Sequence, residues 1–244
     1  MRDFAPDTSP RLSVRNLRIG RNGGTLLNVE NLDLTGPGPT LILGPNGAGK
    51  SLLLRCLHGL IAPDAGEVCQ DGAPLSARHR ARQAMVFQKP VLLRRSVAAN
   101  LNYVLRRQGL SRGDRKMRLE ALLHDGGFAS KATQSARSLS GGEAQRLAIL
   151  RALACTPDIL FLDEPTSALD PSATQAIEAL IMDAARKGTR IIMVSHDVGQ
   201  ARRMGHDIVL MHGGQVAEHA TAGTFFQSPE TQTARRYLTG ALVL

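Results

Sequence analysis

The run Gly44-Pro45-Asn46-Gly47-Ala48-Gly49-Lys50-Ser51 carries the first chemistry legible in this chain. Its glycines let backbone N–H groups turn inward around phosphate oxygens with no Cβ in the way. A helix starting at the end of such a loop offers its N-terminus to the same anion. Lys50 supplies a charge for the β- and γ-phosphates, and the Ser51 hydroxyl is a ligand suited to Mg²⁺. The alternative, a chance glycine-rich turn, fits poorly with a strand-like Thr40–Leu43 before the loop and a helix-like Lys50–Gly59 after it.

A second constellation lies at the end of an apolar run, Ile159-Leu-Phe-Leu-Asp163-Glu164. Two carboxylates at the end of a buried strand call for a cation or a reaction, because burying them unpartnered is costly. Asp163 is suited to hold Mg²⁺, and Glu164 to polarise an attacking water as general base. His196 follows the apolar strand 191–195, where ligands gather in parallel sheets. Gln88 ends a short strand, 84–88, and its amide is placed to touch the metal or the water. The other six histidines read as ordinary structural residues.

These groups need a framework. Residues 11–19 alternate as a half-buried strand, Asn22-Gly23 marks a hairpin turn, and 24–34 returns. Asp71-Gly72 turns a second hairpin within 67–75. From Pro90 to about Leu153, segments rich in Arg, Leu and Ala recur at helical spacing, which predicts a helical insertion. Asp170-Pro171 opens a helix, with Asp as N-cap and Pro at the first helical position. Residues 189–194 read as a buried strand. Residues 208–211 and 215–219 flank Gly213-Gly214 as a hairpin, and a short helix follows. Strands alternating with helices predict an α/β core with a mainly parallel sheet.

The chain has 244 residues, 43% of them hydrophobic, enough for one large domain with a subdomain. We expect a flexible tail at residues 1–10 and one nucleotide-binding domain over 11–244, the insertion spanning about 90–153 of it. Aromatic residues make up 3% and Trp is absent, which argues against a platform for stacked bases. The net charge of +9 fits an anionic partner or simply solvated helix faces. Three scattered cysteines form no metal spacing and suit a reducing compartment. No apolar run reaches the roughly 18–20 residues of a membrane span. The expectation is a cytoplasmic chain that would act at a membrane only through a partner.

With these motifs in this order, the chain resembles the nucleotide-binding subunit of ATP-binding cassette (ABC) transporters, from about Leu12 to about His219. The likeness rests on the phosphate loop, the Q-loop Gln88, and the signature Leu139-Ser140-Gly141-Gly142-Glu143-Ala144-Gln145-Arg146. The Walker B strand 159–164, the D-loop Ser167-Ala168-Leu169-Asp170 and the switch His196 complete it. The resemblance implies a P-loop NTPase core with an antiparallel β subdomain and an inserted helical subdomain. It also implies a head-to-tail homodimer with ATP between the phosphate loop of one copy and the signature of the other. Ser140, Gly141 and Gly142 would then bind the γ-phosphate in trans, His196 would contact it, and Asp170 would communicate across the dimer. The implied nucleotide-binding run extends from Gly44 to Leu52, with Ser51, Gln88 and Asp163 at Mg²⁺. Three departures stand out: Arg21 falls where the family stacks an aromatic residue on adenine, Gly36-Pro-Gly-Pro39-Thr40 replaces the usual turn, and Leu52 replaces a Thr. None removes a catalytic group.

The segment from Val86 to Asn100, with Leu92-Leu93, Ser96-Val97 and Asn100, is similar to the Q-loop region of bacterial solute importers, in particular tungstate- or phosphate-type oxyanion systems. That implies separate membrane permease subunits and, indirectly, a solute-binding protein. Arg94 and Arg95 would face the permease or solvent. With the sequence ending at Leu244, an additional regulatory domain is not expected. The alternatives are an export-type cassette, a soluble mechanical ATPase acting on ribosomes or DNA, and a regulatory module without turnover. The first is disfavoured by the importer-like segment. The second is disfavoured by the single cassette without a coiled coil, so no nucleic acid is expected. Intact Glu164 and His196 disfavour the third.

Overall fold

The computed structural model describes residues 10–21 and 23–240. Residues 1–9 of the expected 1–10 tail, Asn22 of the first hairpin and residues 241–244 lie outside the described residues. Strands β1 (Leu12–Arg21) and β2 (Gly24–Leu34) pair antiparallel, with Leu12, Val14, Leu17, Leu27, Val29 and Leu32 buried. Strand β3 (Thr40–Leu43) is buried throughout and leads through the glycine-rich loop into helix α1 (Lys50–His58), which Gly59 ends in the left-handed conformation. Strands β4 (Ala65–Gln70) and β5 (Ala73–Pro74) make the Asp71-Gly72 hairpin. Helix α2 (Ala77–Ala81) is a single capped turn that leads to β6 (Gln83–Val86).

The insertion holds α3 (Val97–Leu105), α4 (Arg112–Asp125) and α5 (Gly141–Leu153). Each is N-capped by a serine, Ser96, Ser111 and Ser140 respectively. They share a core of their own, including Val97, Leu101, Leu123, Phe128, Leu147 and Leu150. The chain then runs through β7 (Ile159–Asp163), α6 (Pro171–Arg186), β8 (Arg190–Val194), α7 (Val198–Met204), β9 (Asp207–His212) and β10 (Gln215–Thr221). Two short helices, α8 (Ala222–Gln227) and α9 (Gln232–Leu238), follow.

One sheet is antiparallel, in the order β2-β1-β4-β5. The other runs β10-β9-β3-β8-β7-β6, parallel except for the β9–β10 hairpin. The neighbours β3, β8 and β7 are buried on both faces and point the same way. Their carboxyl ends therefore open side by side, and the three sequence segments carrying chemistry meet there.

Several boundaries differ from expectation. Strand β6 stops at Val86 rather than Gln88, because the Phe87 carbonyl is taken by the Gln145 amide of α5 at 3.3 Å instead of by a neighbouring strand. Within the insertion the first helix begins at Val97. Residues 90–96 form a loop held by Asn100, which accepts from the Leu93 N–H at 2.8 Å and donates to the Leu93 carbonyl at 3.2 Å. The expected helix Lys50–Gly59 ends one residue earlier, and the chain's end carries two helices rather than one. Helices α2 and α7 are too short to leave a periodic pattern and were not anticipated.

Candidate functional site

The loop between β3 and α1 is shaped by its glycines. Gly44 has φ +143°, and a Cβ there would sit 2.2 Å from the Met211 carbonyl oxygen, so only glycine lets the loop leave β3 beside β9. Gly49 is the N-cap of α1 and offers no side-chain hydrogen bond, which leaves the first-turn N–H groups open to an anion. Lys50 is 6% exposed, and its Nζ donates to the Gly44 and Pro45 carbonyls at 2.8 and 3.0 Å. Burial lowers the Lys50 pKa, while the Glu164 and Asp163 charges act the other way. Leu52, one residue beyond the loop, packs on the core under the antiparallel sheet.

At the base of the loop the Ser51 hydroxyl donates to Asp163 Oδ1 at 2.7 Å, and Arg55 Nη2 stands 3.7 Å from Asp163 Oδ2. Asp163 is the last residue of β7 and is 4% exposed. A hydroxyl paired with a carboxylate gives hard oxygen donors, which Mg²⁺ takes together with phosphate oxygens. These residues fit that ion. Among the described residues, no group of three or more His, Cys, Asp or Glu could cage a metal unaided.

Glu164 follows with φ +46°, a left-handed conformation that costs a non-glycine residue about 1–2 kcal/mol. Its N–H donates to the Val194 carbonyl at 3.1 Å, which pins the turn to β8. The turn aims the carboxylate at two partners. Gln88 Nε2 donates to Glu164 Oε2 at 3.1 Å, and His196 Nδ1 lies 3.3 Å from the same oxygen. Gln88 also reaches the Ser167 hydroxyl at 3.4 Å. A cleft of about 530 Å³ is lined by Gly44, Pro45, Asn46, Gln88, Glu164, Ser167 and His196. Tyr237 of α9 completes the wall. The arrangement can hold a phosphate chain on N–H groups and Lys50, with a carboxylate and an imidazole beside its end.

The signature lies apart from this cleft. Ser140, Gly142, Glu143, Arg146, Asp170 and Ser172 are among the residues lining a second depression of about 370 Å³. Ser140 and Glu143 form a reciprocal capping box at the start of α5. The Lys131 and Ser140 hydrogen bonds hold the Glu143 carboxyl below its usual range. A Cβ on Gly142 would fall 2.7 Å from Ala173 Cβ, so glycine lets α5 seat against α6. Asp170 caps α6, accepting from Ala173 N–H at 2.9 Å and from the Ser172 hydroxyl at 2.7 Å, and both bonds lower its pKa. Arg21 is exposed at the end of β1, paired with Gly24.

Two residues of this region, Tyr237 and Gln200, carried no sequence signal, and Gln145 stood in the signature run with no role assigned to it. Gln145 ties α5 to the segment before Gln88. Gln200, 1% exposed, accepts from Ser195 Oγ at 2.8 Å and donates to Thr166 Oγ1 at 2.9 Å and Glu178 Oε1 at 3.1 Å. A glutamine on a short helix is common enough that only its surroundings reveal the role.

Residues 28–167 match the family described as ABC transporter. The chain is 39% identical to the tungstate uptake system ATP-binding protein TupC of Peptoclostridium acidaminophilum, over 85% of this chain and 97% of that protein. It is 40% identical to the phosphate import ATP-binding protein PstB 2 of Natronomonas pharaonis, over 95% of this chain and 87% of that protein. Among solved structures, cbiO1 of Clostridium perfringens, part of the ABC transporter complex cbiONQ, superposes with a TM-score of 0.80 at 27% identity. That superposition covers 89% of this chain and 91% of cbiO1.

Proposed function

The chain belongs to the ABC transporter family, as an ATP-hydrolysing subunit of the importer type, and we propose that the cleft at the ends of β3, β7 and β8 is where it turns over ATP. The observation that carries this reading is the convergence on one cleft of the Gly44–Ser51 loop, the Ser51–Asp163 pair and the Gln88–Glu164–His196 cluster.

Backbone N–H groups of the loop and of the first turn of α1 bind the phosphates, and Lys50 exchanges its own-loop carbonyls for the β- and γ-phosphate oxygens. Ser51 and Asp163 would hold Mg²⁺, with Gln88 near it; when bound, the ion neutralises charge developing on the phosphates. Glu164 takes the proton of the attacking water. His196 and Gln88 hold its carboxylate in place, and His196 also contacts the γ-phosphate.

The signature completes the site from a second copy. Ser140, Gly141 and Gly142 of one chain meet the γ-phosphate on the phosphate loop of the other in a head-to-tail homodimer, with Asp170 at the shared boundary. Their separation from the cleft within one chain supports this. Arg21, exposed at the end of β1, would stack on adenine with its guanidinium plane.

No helix among the described residues is long and apolar enough to cross a membrane, so the chain would act peripherally, on permease subunits at the cytoplasmic face. The groove between β6 and α5, with exposed Phe87 and Val91 at its rim, supports such docking. The relatives named for tungstate and phosphate support an oxyanion as the solute, delivered by a solute-binding protein.

The test is to purify the full chain from mild-detergent extracts of membranes, identify its partners and measure ATP turnover. A multi-span permease and Mg²⁺-dependent turnover are expected. Ribosomes or DNA as the partner would overturn the transport reading.

A further inference from the structure

Glu164 and His196 stand on separate turns, after β7 and after β8, and one buried side chain bonds to both turns. Gln200, in the first turn of α7, is 1% exposed. Its Oε1 accepts from Ser195 Oγ at 2.8 Å. Its Nε2 donates to Thr166 Oγ1 at 2.9 Å and to Glu178 Oε1 of α6 at 3.1 Å. Ser195 immediately precedes His196, and Thr166 lies two residues after Glu164. The neighbours fix which way the amide points. Glu178 is paired through both oxygens with Arg203, at 3.0 and 2.7 Å, and a carboxylate so paired only accepts. The NH₂ group must therefore face Glu178, which turns Oε1 to the Ser195 hydroxyl.

The bonds on the β8 side close a ring around His196. Asp197 N–H donates to Ser195 Oγ at 3.0 Å, and Gln200 N–H donates to Asp197 Oδ1 at 3.1 Å. Gln200 thus holds the backbone before and after the imidazole. On the β7 side, Thr166 belongs to the turn in which Glu164 has φ +46° and Ser167 N–H donates to the Glu164 carbonyl at 3.2 Å. A left-handed non-glycine residue persists only where its surroundings over-determine it, and the Gln200–Thr166 bond is one such constraint. An apolar side chain would fill the same space. An amide with partners on three segments fixes directions as well as distances.

We propose that Gln200 is a positioning residue for ATP hydrolysis, its amide tying the turn of Glu164 to the turn of His196 and so holding the carboxylate and the imidazole 3.3 Å apart in the cleft. The proposal rests on the ATPase reading above. Gln200 stands behind the two turns and is not among the residues lining the cleft. Its loss should slow the chemical step and spare nucleotide binding, because misplacing reacting groups by about 1 Å costs about 10²-fold in rate.

The experiment compares the parent chain, Gln200→Met, Thr166→Val, Glu178→Gln and Glu164→Gln at full length, both isolated and as purified from mild-detergent membrane extracts. ATP turnover, equilibrium ATP binding and thermal unfolding are measured on each. Gln200→Met keeps the length and removes both links. Thr166→Val removes only the link to the Glu164 turn. Glu178→Gln disturbs the same network from α6 and leaves both links in place. Gln200→Met is expected to lose about tenfold or more in kcat and Thr166→Val about threefold or more, each with KM for ATP within about twofold. Glu178→Gln is expected to keep the parent kcat.

Parent kcat in Thr166→Val overturns the proposal, and this variant decides alone if Gln200→Met does not fold. Parent kcat in a folded Gln200→Met overturns it as well. So does a loss of kcat in Glu178→Gln equal to that in Gln200→Met, or a loss that tracks the unfolding midpoint across the series, because either is a packing role. Parent turnover abolished by Glu164→Gln keeps the ATPase reading whatever the Gln200 series does. A parent inactive in both settings overturns that reading and the proposal with it.

Discussion

The Gln88 amide donates to the Glu164 carboxylate at 3.1 Å across 76 positions of the chain. It joins the start of the inserted helices to the end of β7, so a shift of the insertion moves a group bonded to the proposed general base. Glu164→Gln keeps the size and loses the basicity. We expect turnover to fall by about 10²–10⁴-fold with ATP binding retained. Steady-state hydrolysis beside equilibrium ATP binding checks this, and parent-level hydrolysis would remove Glu164 from its role.

The Ser51–Asp163 hydrogen bond makes a second prediction. Ser51→Ala removes one of two oxygen donors at the base of the phosphate loop and leaves Asp163 with the more distant Arg55. The Mg²⁺ concentration for half-maximal turnover should rise by about 10–100-fold. A Mg²⁺ titration of hydrolysis reads this directly, and an unchanged midpoint would show that the ion is held elsewhere.

Ser140→Arg tests the two-copy site. The change costs the N-cap of α5, about 1 kcal/mol, and puts a bulky cation where the second chain's phosphate end would approach. ATP binding to the isolated monomer should be unaffected, because Ser140 lines a different depression from the phosphate loop. Hydrolysis should be lost. Normal hydrolysis in this variant would sink the trans arrangement.

The site was legible wherever chemistry forces a local pattern. The Gly44–Ser51 loop, the Asp163-Glu164 pair at a strand end and the Asp170-Pro171 helix start depend on near neighbours, and each sits at the element expected. Residues that work through distant partners were not legible. Gln200 connects Ser195, Thr166 and Glu178, three elements that only the fold brings together. Tyr237 reaches the cleft through Glu218 and two turns of backbone. The early end of β6 has the same origin, since it depends on a side chain 58 positions away that takes the Phe87 carbonyl.

Acid should weaken the fold through His58. Its Nδ1 is buried without a hydrogen-bond partner among the described residues, and its ring lies edge-on to Phe161 with centroids 5.4 Å apart. Burial, and secondarily the Arg80 charge, lower its pKa from the ordinary 6.5. Between the folded value and 6.5 the unfolded chain binds the extra proton. Stability is therefore complete above pH 6.5 and is lost as pH falls through the folded value, by up to about 1.4 kcal/mol per pH unit. Urea unfolding at stepped pH should show this limb in the parent and a flatter one in His58→Phe. Parallel curves would exclude His58 as its source.

Glu218 of β10 accepts from the Glu230 and Thr231 N–H groups at 3.1 and 2.8 Å and so fastens the start of α9, which bears on how the protein should be handled. The last described helix supplies Tyr237 to the wall of the proposed hydrolysis cleft, so a purification handle or fluorescent fusion placed after it sits on an element of that wall. Among the described residues the antiparallel sheet contributes none to that wall, which makes the end preceding β1 the safer place for a label.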